Sequence, residues 1–247
     1  MLIRYASEQG DGEHNEDYVA AGTDWAFVLD GATAAPGVRT GCRHGVRWLV
    51  HRLGAALATE LSSARRRPLP DALAGAIDRT RDAHDGCDLG NPDSPSATAA
   101  VARRTEDGLD YLVLADSAVL FPGPDGTVTA VSDDRLDHLP GGRPYSLELV
   151  RASRNVRGGF WVAGTAVEAA YEAVTGSVRP ADGRLALMTD GCTRLVEHYG
   201  HAWSSVWRHL VDSGPESLIA WVRTEERRNG VERGKTHDDA TALYAEL

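Results

Sequence analysis

Apolar residues along this chain change their spacing several times, and each change marks an element. Leu2–Ala6 and Tyr18–Ala21 read as strands separated by the polar stretch SEQGDGEHNED. Trp25–Leu29 is almost continuously apolar, the pattern of a strand buried on both faces. From Val38, apolar residues Cys42, Val46, Leu49, Val50, Leu53, Leu57 and Leu61 recur at steps of three and four. That stripe predicts one long amphipathic helix, broken by Pro68 and Pro70. Leu69, Leu73, Ile77 and Thr80 then predict a second helix to about His84.

After the loop GCDLGNPDSPS the period returns to that of strands: Ala97–Arg103, Tyr111–Ala115, Ala118–Phe121 and Val128–Ser132, with GPDG at 123–126 as a hairpin turn. Residues 133–160 are polar, contain two Gly-Gly pairs and read as a mobile segment. Phe160–Ala163 reads as a short strand, Ala166–Thr175 as a short helix and Leu185–Thr189 as a strand. Helices are expected over Ala202–Val211 and Pro215–Arg228, and a last strand over Thr241–Ala245. Strands cluster before helices and their connections look like hairpins. The expectation is a single domain over residues 1–247, a layered α+β sandwich with mostly antiparallel sheets.

Composition narrows the function classes. A net charge of −10 opposes a nucleic-acid partner, whose phosphates demand clustered Lys and Arg. The run Arg65-Arg66-Arg67 is too short to change this and reads as a solvated helix end. Cys42, Cys87 and Cys192 are odd in number and form neither a disulfide framework nor a CxxC knuckle. No long apolar run suggests a signal peptide or a membrane span, so the expectation is a cytoplasmic monomer. There is no GxSxG elbow, no Walker-type loop and no HExxH; Cys192 reads as an inert thiol.

The acids carry more information. Asp30 follows WAFVL, Asp116 follows YLVLA, Asp190 follows LALMT, and Asp238-Asp239 precede ATALYAEL. Each lies at one end of an apolar strand. In an antiparallel sheet the end of one strand lies beside the start of the next, so these carboxylates can meet on one rim. Gathered there they would repel one another, and a hard divalent cation such as Mg²⁺ or Mn²⁺ would relieve the repulsion. The alternative is a set of unrelated surface acids beside turns, Asp-Gly being a common turn pair.

Taken in order, HNEDYVA, FVLDGAT, SATAAVA, LADSAVLF, VSDDRL, LMTDGCTRL and HDDATALYAEL resemble the motifs of PP2C-type metal-dependent phosphatases, the PPM family, over about residues 10–247. The resemblance implies a four-layer αββα sandwich and two Mn²⁺ or Mg²⁺ ions, with a weak third. By position, Asp30 would bridge both ions, the Gly31 carbonyl would bind one, and Asp190 and Asp238 would complete the second. Glu16 and Asp17 would hold metal-bound waters, and Asp116 would serve the third ion. The implied chemistry is hydrolysis of a phosphate monoester, of a phosphoserine or phosphothreonine protein or of a smaller ester. A water bridging the ions, deprotonated to hydroxide, would attack phosphorus in line.

Four departures bear on substrate. Gly12 stands where the family carries a phosphate-gripping Arg, leaving His14 and Arg4 as candidate substrate-binding groups. Ala32-Thr33-Ala34 replaces the usual continuation of the first Asp-Gly, Ala118 replaces the Arg of Gly-Asp-Ser-Arg, and Asp239 replaces the final Asn. They leave open two other readings: a pseudophosphatase acting as a binding module, and a PPM scaffold turned to small-metabolite chemistry.

Overall fold

The computed structural model describes residues 1–35, 37–63, 66–231 and 234–247. Ten strands form two five-stranded sheets in which every neighbouring pair is antiparallel. The first has the order β1 (Leu2–Glu8), β10 (Ala240–Glu246), β9 (Arg184–Met188), β6 (Ala118–Pro122) and β7 (Val128–Val131). The second runs β2 (Asp17–Ala21), β3 (Trp25–Ala32), β4 (Ser96–Arg104), β5 (Leu109–Leu114) and β8 (Val174–Val178).

Strand periodicity explains how these sheets stack. On β3, Trp25, Phe27 and Leu29 join a core with helices α1 (Gly45–Leu61) and α2 (Leu69–Asp82). The alternate residues Ala26 and Val28 face the other way, into a layer shared with Leu185, Leu187, Leu243 and Ala245 of the first sheet. That sheet's opposite face, through Ala186, Met188, Ala242 and Tyr244, packs on α4 (Asp190–Glu197), α5 (Trp203–Ser213) and α6 (Pro215–Asn229). Two sheets buried on both faces between two helical layers make the αββα sandwich, and they account for strands that read as continuous apolar runs.

Several expectations are corrected. The first helix begins at Gly45, not Val38, because Gly41 and Gly45 adopt φ of +71° and +77°, outside the helical region. Val38 and Cys42 fit the stripe numerically but lie on the loop before it. Helix α4 starts directly at Asp190, where the sequence suggested only a strand end. The helix expected at 166–175 is a single 3₁₀ turn, Val167–Tyr171, followed by edge strand β8. Phe160–Ala163 makes isolated bridges to Arg154 and Ala97 and no strand. The segment after β7 contains a short helix, α3 (Leu147–Ser153), tied down by Arg151 to Asp93 and by Arg154 to the carbonyls of Pro92 and Ser94. In the basic run, Arg65 lies outside the described residues; Arg66 pairs with Asp24 and Arg67 with Glu60. No described helix is long and apolar enough to cross a membrane.

Candidate metal centre

The alternation that builds the layer between the sheets also builds a site at one end of it. Two residues beyond Val28 the inward position of β3 is Asp30, and Asp17 of β2 lies directly opposite it in register. On the facing sheet the positions after Leu187 and before Leu243 are Thr189 and Thr241; the Thr189 N–H donates to the Thr241 carbonyl and the Thr241 N–H to Thr189 Oγ1. The cleft therefore closes on apolar side chains at one end and opens on carboxylates at the other. Thr189 Oγ1 donates to Asp17 Oδ2 at 2.9 Å and fixes that carboxylate across the two sheets.

Asp190 enters one residue later, in the first turn of α4, where the helix dipole favours an anion. Asp116 comes from the turn between β5 and β6. Its predecessor Ala115 takes φ of +62°, held by backbone bonding with Asp133, whose carboxylate is in turn gripped by Arg135. That left-handed residue, at the position where the resembling motif has Gly, turns Asp116 inward.

Neither Asp-Gly pair is a tight turn, since neither Gly31 nor Gly191 has a positive φ. Their role is close approach. A Cβ on Gly31 would lie 2.4 Å from Val46 and 2.8 Å from the Glu16 carbonyl; one on Gly191 would lie 2.0 Å from the Asp239 carbonyl. Each glycine lets a neighbouring segment pass directly behind the acid that precedes it.

The electrostatics are those of a cation site. Burial, then Asp190, Asp17, Asp116 and Asp238, hold the Asp30 carboxyl well above the usual range. Burial, then Asp116 and Asp238, do the same to Asp190, with Arg194 opposing. Asp17 is pushed up to about 7, chiefly by burial, against the bonds from Thr241 and Thr189. Asp116 is raised by burial and by its acidic neighbours, and Arg143 counteracts. Oδ1 of Asp17 and Oδ1 of Asp116 are buried without a hydrogen-bond partner. An orphaned buried carboxylate oxygen is costly unless a charge meets it, and hard oxygen donors of this kind suit Mg²⁺ or Mn²⁺.

Asp238 differs. Arg194 Nη2 reaches its Oδ2 at 2.6 Å and Lys235 Nζ its Oδ1 at 2.8 Å. Arg194 is itself buried and also pairs with the fully buried Glu226, which Arg223 and His237 share. Sequence reasoning missed Arg194, although it stands in the DGCTR segment four residues past Asp190; the signal was a charged residue on the apolar side of a helix. Asp239 spends both oxygens on backbone N–H groups of Gly10 and Glu16, each at 2.7 Å, so it organises the loop ahead of β2.

The remaining sequence candidates divide. Glu16 sits at the rim, accepting a hydrogen bond from Thr33 Oγ1, so the altered Ala32-Thr33-Ala34 stretch has its own contact with the acids. His14 lies exposed on the loop between β1 and β2. Arg4 is not brought to the site: it pairs with Tyr244 in mid-strand, packs over that ring and so lies on the helix-facing side of the first sheet.

Residues 6–223 match the family model described as Protein phosphatase 2C. The fold resembles the PPM Ser-Thr phosphatase MsPP from Mycobacterium smegmatis, in complex with cacodylate, with a TM-score of 0.65 at 18% identity over 100% of this chain and 98% of that one. It also resembles the Mycobacterium tuberculosis serine/threonine phosphatase PstP/Ppp, with a TM-score of 0.64 at 19% identity over 100% and 99%. A third neighbour is the PstP catalytic domain in complex with two manganese ions, with a TM-score of 0.62 at 18% identity over 99% and 97%. A comparison with curated protein sequences returns no match. The strand-end acids, the paired antiparallel sheets and a family match over most of the chain agree: the chain belongs to the protein phosphatase 2C family of metal-dependent phosphatases.

Proposed function

We propose that this chain hydrolyses phosphate monoesters in the cleft between its sheets, with phosphoserine or phosphothreonine proteins as the substrate class and two divalent cations, Mn²⁺ or Mg²⁺, as cofactors. The observation that carries the reading is the convergence of Asp17, Asp30, Asp116 and Asp190 at one end of that cleft, two of them with orphaned buried oxygens. Asp30, the Gly31 carbonyl and Asp190 would hold the cations, with Asp17 and Glu16 reaching them through water. Asp238 would contribute from the lone pairs left to it by Arg194 and Lys235. When bound, the cations supply an activated water as nucleophile and positive charge for the phosphoryl oxygens.

The protein's own groups supply the rest. Thr189 orients Asp17, and Arg135 with Asp133 orients Asp116. With Gly12 in place of a gripping Arg, two cations near the acids among the described residues are Lys235 and Arg143, whose side chains are 38% and 43% exposed. They are the groups we assign to meet substrate phosphate, in place of Arg4. The altered rim also favours a second reading, a small phosphate ester in place of a phosphoprotein.

The test is Mn²⁺-dependent hydrolysis of an aryl phosphate by wild type and Asp190→Ala, followed by phosphopeptides and small phosphate esters at equal concentration. Metal-dependent turnover lost in Asp190→Ala, with preference for phosphopeptides, is the expected result. Turnover confined to small esters establishes the second reading, and Mn²⁺ binding or turnover unchanged by Asp190→Ala overturns the site.

A further inference from the structure

Away from the acids, two short sequence pairs meet that are far apart in the chain. Cys42-Arg43-His44 ends the loop before α1, and His84-Asp85-Gly86-Cys87 follows the last turn of α2. Cys42 Sγ lies 3.7 Å from Cys87 Sγ. His44 Nδ1 lies 3.8 Å from Cys42 Sγ and 3.4 Å from Cys87 Sγ. His84 brings a ligand atom within 4.8 Å of those of Cys42 and His44. With zinc–sulfur and zinc–nitrogen bonds of about 2.3 and 2.0–2.1 Å, a tetrahedral site separates two sulfurs by about 3.8 Å and a sulfur from a nitrogen by about 3.5 Å. The three separations among Cys42, Cys87 and His44 are close to those edges, and His84 completes the set from within 4.8 Å of Cys42 and His44.

We propose that Cys42, His44, His84 and Cys87 form a closed four-ligand Zn²⁺ site that staples the start of α1 to the end of α2, independent of the phosphatase centre.

The surroundings are already arranged for it. His84 Nδ1 bonds the Thr80 carbonyl at 2.8 Å, which fixes the tautomer and leaves Nε2 with the free lone pair. The backbone N–H of His44 points at Cys42 Sγ from 3.4 Å, a donor that favours thiolate. Trp48 stacks on His44 at 4.1 Å and meets His84 edge-on at 4.5 Å, so one indole positions both imidazoles. Arg43 Nε, 3.4 Å from His44 Nε2, yields that contact when Nδ1 is bound, since Nε2 then carries the proton. Around the cluster the loops are knitted by the Asp88 N–H to the Gly41 carbonyl at 3.0 Å and by Asn91 Nδ2 to the Arg39 carbonyl at 2.9 Å. Two sulfurs and two imidazoles select Zn²⁺ over Mg²⁺ or Mn²⁺, and four protein ligands leave no open position for catalysis. Binding displaces one proton from each thiol and oxidises nothing.

The test uses the full chain, purified under reducing conditions without chelator. The expected result is one equivalent of zinc that survives gel filtration in Mn²⁺ buffer. The zinc-stripped chain titrated with Co²⁺ should then develop thiolate-to-cobalt charge-transfer absorption, saturate at one equivalent and bleach with Zn²⁺. Cys87→Ser and His84→Gln should each weaken the titration about 100-fold or more. Asp190→Ala, which lacks a ligand of the acid centre, should leave it intact, because oxygen-bound cobalt gives no thiolate band. Absence of retained zinc together with absence of the thiolate band overturns the site. So does a Cys42–Cys87 disulfide that forms as fast with zinc present as without it, which would make the pair a redox couple.

Discussion

The acid cleft and the Cys/His corner bring together opposite donor sets by opposite routes. The cleft collects hard oxygens from the ends of strands in both sheets, so its geometry belongs to the whole sandwich and to the alternation that fills the layer between the sheets. The corner collects sulfurs and imidazole nitrogens from two loops, joined across about forty residues by α1 and α2. In the cleft, burial and mutual repulsion push the carboxyls towards their protonated form before any metal arrives; in the corner each thiol gives up a proton as the metal binds and the imidazoles offer lone pairs. One fold thus presents a site that needs charge compensation beside one that needs only assembly.

The sharpest way to break the comparison is to remove a ligand from one side. Asp190→Ala should reduce Mn²⁺-dependent turnover by on the order of 10³-fold, the scale for losing preorganised charge stabilisation. Steady-state kinetics with an aryl phosphate measures it; a loss under tenfold would show that Asp190 is peripheral. Next comes Arg194, the cation that the cleft already contains. Arg194→Met should cost about 3 kcal/mol in urea unfolding, because Glu226 is fully buried and, among the described residues, keeps Arg223 and His237 as its ion-pair partners. The same change should tighten Mn²⁺ binding, since a buried positive charge 2.6 Å from Asp238 is gone. Weaker binding would show that Arg194 aims Asp238 at the metal and does not compete with it.

How much of this was legible depends on the distance over which each signal acts. Asp30 and Asp190 announced themselves because each ends an apolar run, a local event, although β3 continues through Asp30 to Ala32 and Asp190 already belongs to α4. The register that sets Asp17 opposite Asp30 follows from the short β2–β3 hairpin. Arg4 was misplaced because strand parity, set by its pairing with Tyr244, turns it to the helix face of the sheet. Cys42 was misread as one more apolar residue in the α1 stripe, although the left-handed Gly41 and Gly45 flank it and the helix begins only at Gly45. The corner escaped notice because its linear pairs are CxH and HxxC, and only the packing of α1 against α2 makes them neighbours.

A pH series separates the two donor sets. In protein stripped of all metal, Asp17 binds its proton up to about pH 7 in the fold and only to about pH 4 when unfolded. Between those values the native state holds more protons, so the contribution of Asp17 to stability is full below about pH 4 and falls as pH rises towards 7. The loss is on the order of a few kcal/mol and should show as a declining Tm in buffered chelator. Saturating Mn²⁺ favours the ionised carboxylates and should flatten the slope. Zinc affinity of the corner should run the other way, rising with pH as the thiols deprotonate. Parallel slopes would mean that the two sites are not chemically distinct.

The smallest effect concerns the backbone that turns Asp116 inward. Ala115 holds φ of +62°, where a Cβ costs about 1–2 kcal/mol, while Gly pays back part of this through the flexibility it adds to the unfolded chain. Ala115→Gly should therefore stabilise the protein by about 0.5–1 kcal/mol, read from the urea midpoint at unchanged slope. Because the carboxylate of Asp133 and its grip by Arg135 already fix the turn, neither Mn²⁺ affinity nor the cobalt spectrum of the corner should move. A gain in stability accompanied by weaker Mn²⁺ binding would show that the alanine is kept for the aim of Asp116, with strain retained where the cleft needs a rigid acid.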